Sequence, residues 1–130
     1  MNSVHTWVVV LAAGDGTRLK TLTTDPDGVA VPKQFWSLRG GPSLLELALE
    51  RARRVVPPAR ICVVVDARHQ AWWDTEQAAV ADGNVIVQPC NRGTAIGVLL
   101  AVLTVVARDA RARVVFLPAD HYVAQEVVLV

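Results

Sequence analysis

Apolar residues in this chain come in unbroken short runs rather than in alternation with polar ones. Trp7-Val8-Val9-Val10-Leu11 is the first, stopped by Ala12-Ala13-Gly14. Ile61-Cys62-Val63-Val64-Val65, Asn84-Val85-Ile86-Val87 and Arg113-Val114-Val115-Phe116-Leu117 are three more of the same kind. A strand that is apolar on both sides must be covered on both faces, which is the signature of a parallel sheet inside helical layers.

The segments between these runs carry helix signals. Ser43-Leu44-Leu45-Glu46 reads as a capping box, with Ser43 as N-cap and Glu46 at the position that reaches back. That helix continues through Leu47, Ala48, Leu49 and Ala52 and ends before Pro57-Pro58. Arg51, Arg53 and Arg54 suit the negative end of its dipole and are expected to form a solvated helix end. A second helix is predicted over Arg68 to Ala81, closed by Asp82-Gly83-Asn84. Adjacent helical residues point about 100° apart, so Trp72 and Trp73 are expected to place one ring in the core and the other at its edge.

A third helix is predicted from Thr94 to Ala107. It is apolar nearly all round and so is expected to be covered on its outer side as well. The order β-α-β-α-β-α-β predicts a three-layer α/β fold, a mainly parallel sheet with right-handed crossovers, formed as a single domain over residues 1–130. Lys20 to Val31 is the one long irregular segment, and long loops in small domains are usually functional.

Composition narrows the partners. Hydrophobic residues make up 52% of the chain and charged residues 19%, which excludes intrinsic disorder. Thirteen Lys and Arg against twelve Asp and Glu leave a formal charge of +1, so no global field draws nucleic acid or anionic lipid. The apolar stretch Ala95 to Ala107 falls short of the roughly 20 residues a membrane span needs. The N-terminus lacks the basic region of a signal peptide. Cys62 and Cys90 show no metal or disulfide spacing and read as reduced thiols of a soluble, cytoplasmic protein.

An anion bound by a nearly neutral protein must be held locally, and ligands of open α/β sheets sit at the carboxyl ends of the strands. Two segments expected there carry unexplained polarity. The first is Leu11-Ala12-Ala13-Gly14-Asp15-Gly16-Thr17-Arg18-Leu19. Its two glycines allow either a tight strand-to-helix turn or a loop whose amides cradle phosphate. Arg18, and Lys33 behind the stiffening Pro32, favour phosphate. The loop is neither a Walker A sequence nor a complete dinucleotide fingerprint, since Leu19 stands where the third glycine would be.

The second segment is Phe116-Leu117-Pro118-Ala119-Asp120-His121. Asp120 could hold Mg²⁺ beside phosphates or cap a helix. His121 reads as a structural histidine, Asp66 as a cap and Asp15 as a turn former.

Taken together, these residues resemble the sugar-phosphate nucleotidyltransferases, whose pattern is LAGGxGTRL followed by a PK pair. The form Pro32-Lys33-Gln34-Phe35, the segment Gln88-Pro89-Cys90-Asn91-Arg92-Gly93-Thr94-Ala95 and Leu117-Pro118-Ala119-Asp120-His121 are similar to its mannose-1-phosphate guanylyltransferase branch. The resemblance implies a Rossmann-like nucleotidyltransferase fold. It also implies transfer of a nucleotidyl group from a nucleoside triphosphate, here GTP, to a sugar 1-phosphate, here mannose 1-phosphate, with Mg²⁺ as cofactor.

On that resemblance the triphosphate loop falls on Ala12, Ala13, Gly14, Gly16 and Thr17, with Arg18 on the leaving phosphates and Lys33 near the α-phosphate and the sugar phosphate. Gln88, Gly93 and Thr94 would contact the nucleotide, Gln88 at the base, and Asp120 would hold the metal. No protein nucleophile is required, because positioning and charge neutralisation can supply most of such a reaction.

Two departures from the family stand out. Ala13 replaces the second glycine of LAGG. The family's domain also continues past the segment matching Asp120, with most of the sugar pocket and a second metal-binding aspartate. The expectation is therefore an N-terminal, nucleotide-binding portion, completed by a missing C-terminal half or by a homo-oligomer. The alternative is a non-catalytic nucleotide- or partner-binding module of the same fold. An NAD-dependent oxidoreductase is disfavoured by the absent third glycine and by Pro32-Lys33.

Overall fold

In a computed structural model, residues 4–13, 33–35, 37, 41–74, 80, 83–88 and 94–119 are described. Four strands, β1 (Thr6–Ala12), β2 (Ile61–Asp66), β3 (Val85–Gln88) and β4 (Arg113–Pro118), form one sheet in the order β3-β2-β1-β4. Every pairing is parallel, with Val10 opposite both Val63 and Leu117, and Val64 opposite Ile86. The continuous apolar runs thus predict both the strands and their direction, with β3 shifted by one residue to include Gln88.

Alternate residues of the two central strands feed two cores. Val8, Val10, Val63 and Val65 pack with Leu45, Ala48, Leu49 and Ala52 of helix α1 (Leu44–Arg53). On the opposite face Trp7, Val9, Cys62 and Val64 pack with Ala101 and Val105 of helix α3 (Thr94–Arg108). This is the expected three-layer arrangement, a Rossmann-like fold. Burial raises the Cys62 thiol above its ordinary pKa and leaves it inert. Cys90 lies outside the described residues.

Ser43 caps α1 as expected: its backbone is extended and its Oγ accepts the Glu46 amide at 3.1 Å. The basic end of this helix is less uniform than the sequence suggests. Arg53 and Arg54 are exposed, whereas Arg51 is only 4% exposed. It stands three residues after Ala48 and seven after Leu44, on the face that meets the core.

The second predicted helix opens as a 3-10 turn, Ala67–His69, followed by α2 (Gln70–Trp73). Residues 75–79, 81 and 82 of its predicted span lie outside the described residues. Trp72 and Trp73 do not divide into one core and one edge ring. Both are half-buried against the α1 core, and the Trp73 indole donates to the Asp66 carbonyl at 3.2 Å. Gly83 takes a left-handed φ of 79°, a conformation that favours glycine; the described helix ends ten residues earlier, at Trp73.

Two expectations of cover are not met. On α3, Ile96, Leu99, Leu103 and Val106 are 44%, 53%, 59% and 45% exposed, so the outer face is open. Among the described residues β4 is an edge strand, and its residues from Val114 to Pro118 are half-buried where those of β1 are almost wholly enclosed. Apolarity in both places exceeds what the described residues cover. Among these residues no helix is long and apolar enough to cross a membrane.

At the amino end of the sheet, away from the strand ends where ligands bind, Asp109 ties β1 to the turn before β4. Its carboxylate meets His5 Nδ1 at 2.9 Å and accepts the Trp7 indole N–H at 3.2 Å and the Arg111 amide at 3.0 Å. The His5 hydrogen bond, with those of Arg111 and Trp7, holds this carboxyl below its usual range despite an opposing contribution from burial. A lowered folded-state pKa contributes stability above the unfolded value of about 3.9, and that stability is lost as pH falls through the folded value. Asp109→Asn is therefore expected to lower stability at pH 7 and to flatten the acid limb below about pH 4. Urea unfolding from pH 2.5 to 7 checks this, and an acid limb identical to wild type would contradict it.

Candidate nucleotide site

Parallel pairing sends the carboxyl ends of all four strands to one edge, and of the predicted site residues Ala12, Ala13, Lys33, Gln88 and Thr94 are described there. β1 ends there at Ala12, which is buried, and Ala13 follows it half-buried. β4 arrives alongside, with Leu11 opposite Pro118 and the Ala119 amide donating to the Leu11 carbonyl at 3.1 Å. Ala119, the last described residue after β4, thus lies beside the end of β1. Gly14, Gly16, Thr17, Arg18, Gly93 and Asp120 lie outside the described residues, as do Asp15 and His121.

Lys33 opens a 3-10 turn, Lys33–Phe35. The turn is fastened to the strand end by its second residue, since Gln34 Nε2 donates to the Ala12 carbonyl at 2.8 Å and is itself 3% exposed. Its third residue, Phe35, packs into a group of three rings. The Phe35 ring stacks on Trp72 with centroids 6.4 Å apart and meets His69 edge-on at 6.1 Å, while His69 and Trp72 are 6.0 Å apart. The turn with Lys33 is therefore held between the end of β1 and the segment after β2. The sequence reading took Lys33 from the motif and passed over Gln34. The only trace of its role was a polar residue lodged between Pro32 and the aromatic pair Phe35-Trp36.

β2 and β3 end side by side, with Asp66 opposite Gln88. Asp66 is the cap that the sequence suggests. Its Oδ1 accepts the Arg68 amide at 2.9 Å, and the Arg68 guanidinium pairs with Oδ2 at 2.7 Å. The Arg68 hydrogen bond leads the effects that hold this carboxyl below its ordinary pKa, so it is ionised and engaged at neutral pH.

Gln88 is different. It is 2% exposed, and its Nε2 has no hydrogen-bond partner among the described residues. Its amide lies against the first turn of α3, which Thr94 opens. A Cβ added at Gly97 would stand 3.3 Å from Gln88 Oε1 and 3.4 Å from Nε2. The glycine makes the room in which this amide lies, a role not legible in the sequence of the helix.

This edge provides backbone, a buried amide donor and a fastened turn that carries a lysine. Among the described residues no group of three or more His, Cys, Asp or Glu side chains could hold a metal ion.

Residues 7–128 match the family described as Nucleotidyl transferase. The chain is 29% identical over 119 residues to the xanthan biosynthesis protein XanB of Xanthomonas campestris pv. campestris, covering 91% of this chain and 25% of that protein. It is 30% identical over 122 residues to a mannose-1-phosphate guanylyltransferase of Escherichia coli, covering 91% and 24%. A Thermus thermophilus crystal structure, described as that of a mannose-1-phosphate geranyltransferase, superposes with a TM-score of 0.77 at 33% identity. That likeness covers 95% of this chain and 35% of the solved one. The chain spans about a quarter of the length of the curated relatives it matches.

Proposed function

The chain belongs to the nucleotidyl transferase family, and from that premise we propose that it binds a nucleoside triphosphate and transfers its nucleotidyl group to a sugar 1-phosphate. The observation that carries this reading is the 2.8 Å hydrogen bond from Gln34 to the Ala12 carbonyl. It fastens the Lys33 turn to the end of β1, the strand that in sequence leads into Gly14-Asp15-Gly16-Thr17-Arg18, which supports reading the two segments as parts of one phosphate site.

In the proposed reaction an oxygen of the sugar phosphate attacks the α-phosphorus. A new P–O bond forms, the bond from the α-phosphorus to the bridging oxygen breaks, and pyrophosphate leaves with that electron pair. The amides of Gly14, Gly16 and Thr17, with Ala12 and Ala13 leading into them, receive the triphosphate. Arg18 pairs with the departing phosphates, and Lys33 lies toward the α-phosphate and the incoming one. Gln88, Gly93 and Thr94 take the base side. Each contact holds two polyanions in line and offsets their repulsion, which is where catalysis of this kind resides.

Mg²⁺ is the proposed cofactor, held by Asp120 and by phosphate oxygens, where it would offset negative charge. A hard carboxylate donor suits that ion. GTP and mannose 1-phosphate are the proposed substrates, a choice supported by relatives named mannose-1-phosphate guanylyltransferase at 29% and 30% identity. The sugar pocket is proposed to come from a further segment or a second subunit, and the proposed compartment is the cytoplasm.

The open apolar face of α3 favours a second reading, a nucleotide-binding module that works through a partner. Pyrophosphate release with Mg²⁺, GTP and mannose 1-phosphate separates the two. Release that disappears with EDTA and in Asp120→Ala supports the transferase. Mg²⁺-dependent GTP binding without release supports the module, and neither binding nor release would discard both.

A further inference from the structure

We propose that Gln34 and Phe35 are positioning residues that set where Lys33 stands against the end of β1, so that Lys33 meets phosphate without a search. The inference rests on the nucleotidyl-transfer reading and adds residues that act through Lys33 rather than on the substrate.

A lysine carries a point charge on a flexible four-carbon stem, so where its charge falls depends first on its backbone. The backbone of Lys33 belongs to a three-residue 3-10 turn, and such a turn is too short to be stable alone. What fixes it is tertiary. Gln34 donates to the carbonyl of Ala12, 22 residues earlier in the chain and the last residue of β1. Phe35 is 9% exposed and lies against His69 and Trp72, in the segment that follows β2.

The turn therefore has two anchors, on consecutive residues, reaching two neighbouring strand ends. The first anchor has a chemical consequence of its own. The Ala12 carbonyl that receives Gln34 belongs to the residue pair leading into the glycine loop, so one hydrogen bond references both phosphate-binding segments to a common point. Packing alone would have been met by an apolar side chain at position 34, whereas the amide fits this carbonyl specifically.

The test is a double-mutant cycle on the full-length protein. Wild type, Gln34→Leu, Lys33→Ala and the double variant are compared for kcat, for KM with GTP, and for melting temperature. Positioning predicts that Gln34→Leu lowers kcat on the order of 10- to 100-fold, as small misplacements of catalytic groups do. It also predicts that the same change has less than about a twofold effect once Lys33 is alanine, because nothing remains to be positioned. Gln34→Asn, which keeps the amide but shortens its reach, is expected to fall between wild type and Gln34→Leu.

Should Gln34→Leu fail to fold, Phe35→Leu runs the same cycle from the other anchor, with the same non-additivity expected. Equal losses with and without Lys33 would make both residues merely structural and overturn the proposal while nucleotidyl transfer stands. An inactive wild type that also fails to bind GTP would overturn the nucleotidyl-transfer reading and this proposal with it.

Discussion

Lys33→Ala is expected to lower nucleotidyl transfer on the order of 10²- to 10³-fold in kcat, equivalent to about 3–4 kcal/mol of transition-state stabilisation. The figure follows from what this reaction demands. Two phosphate groups of like charge must approach in line, and charge on the reacting phosphoryl oxygens must be met by groups already in place. On the proposed reading a lysine whose backbone is fastened at the end of β1 does this without reorganising. On the same reading its removal would leave Arg18, the loop amides and Mg²⁺ to carry the remainder, so a large but incomplete loss is expected.

Lys33→Arg is expected to recover only part of the rate, because a planar fork presents its charge differently from a compact ammonium. The two anchors of the turn, Gln34 and Phe35, are untouched by either change. The melting temperature should therefore stay within about 2 °C of wild type. Turnover by Lys33→Ala equal to wild type, with a native-like melting curve, would remove this lysine from the mechanism.

The fold was readable from sequence to the extent that it depends on local pattern. Four apolar runs announced a parallel sheet, and Ser43 with Glu46 announced the start of α1. The readings that failed depend on what lies across space. Arg51 belongs to a basic cluster in sequence but to the core-facing side of α1 in three dimensions. The outer face of α3 is apolar yet open, because a helix can carry a face whose cover is not among its own neighbours.

The same division runs through the site. The proposed glycine loop is a local signal, two glycines within three positions, and such a signal is legible from residue type alone. The bond from Gln34 to Ala12 could not, since it spans 22 residues and uses a side chain that suits many surroundings. Nor could the space that Gly97 leaves for Gln88, which exists only once β3 and α3 are packed.

That space underlies the second large effect. Gln88→Leu is expected to leave stability unchanged or raise it by about 1 kcal/mol, while the ratio of kcat/KM for GTP over ATP falls on the order of 10- to 100-fold. A buried amide group left without a partner costs about 1–3 kcal/mol. Gln88 Nε2 is in that state among the described residues, at 2% exposure. Leucine is close in volume and carries no such cost, so packing gives no reason to keep the glutamine.

Under the proposed reading the reason is the base, whose edge offers the hydrogen-bonding groups this amide lacks. A site built to pair with one base then discriminates against another by leaving its own polar group unmet. Gly97→Ala should act in the same direction and more weakly, since a Cβ there would stand 3.3 Å from the amide oxygen and push it aside. Melting curves and paired kinetics with GTP and ATP decide the matter. A less stable Gln88→Leu with unaltered base preference would mean that the amide is a packing element whose partner lies elsewhere in the protein. A more stable variant that no longer distinguishes the two nucleotides would mean that stability is given up at this position for recognition.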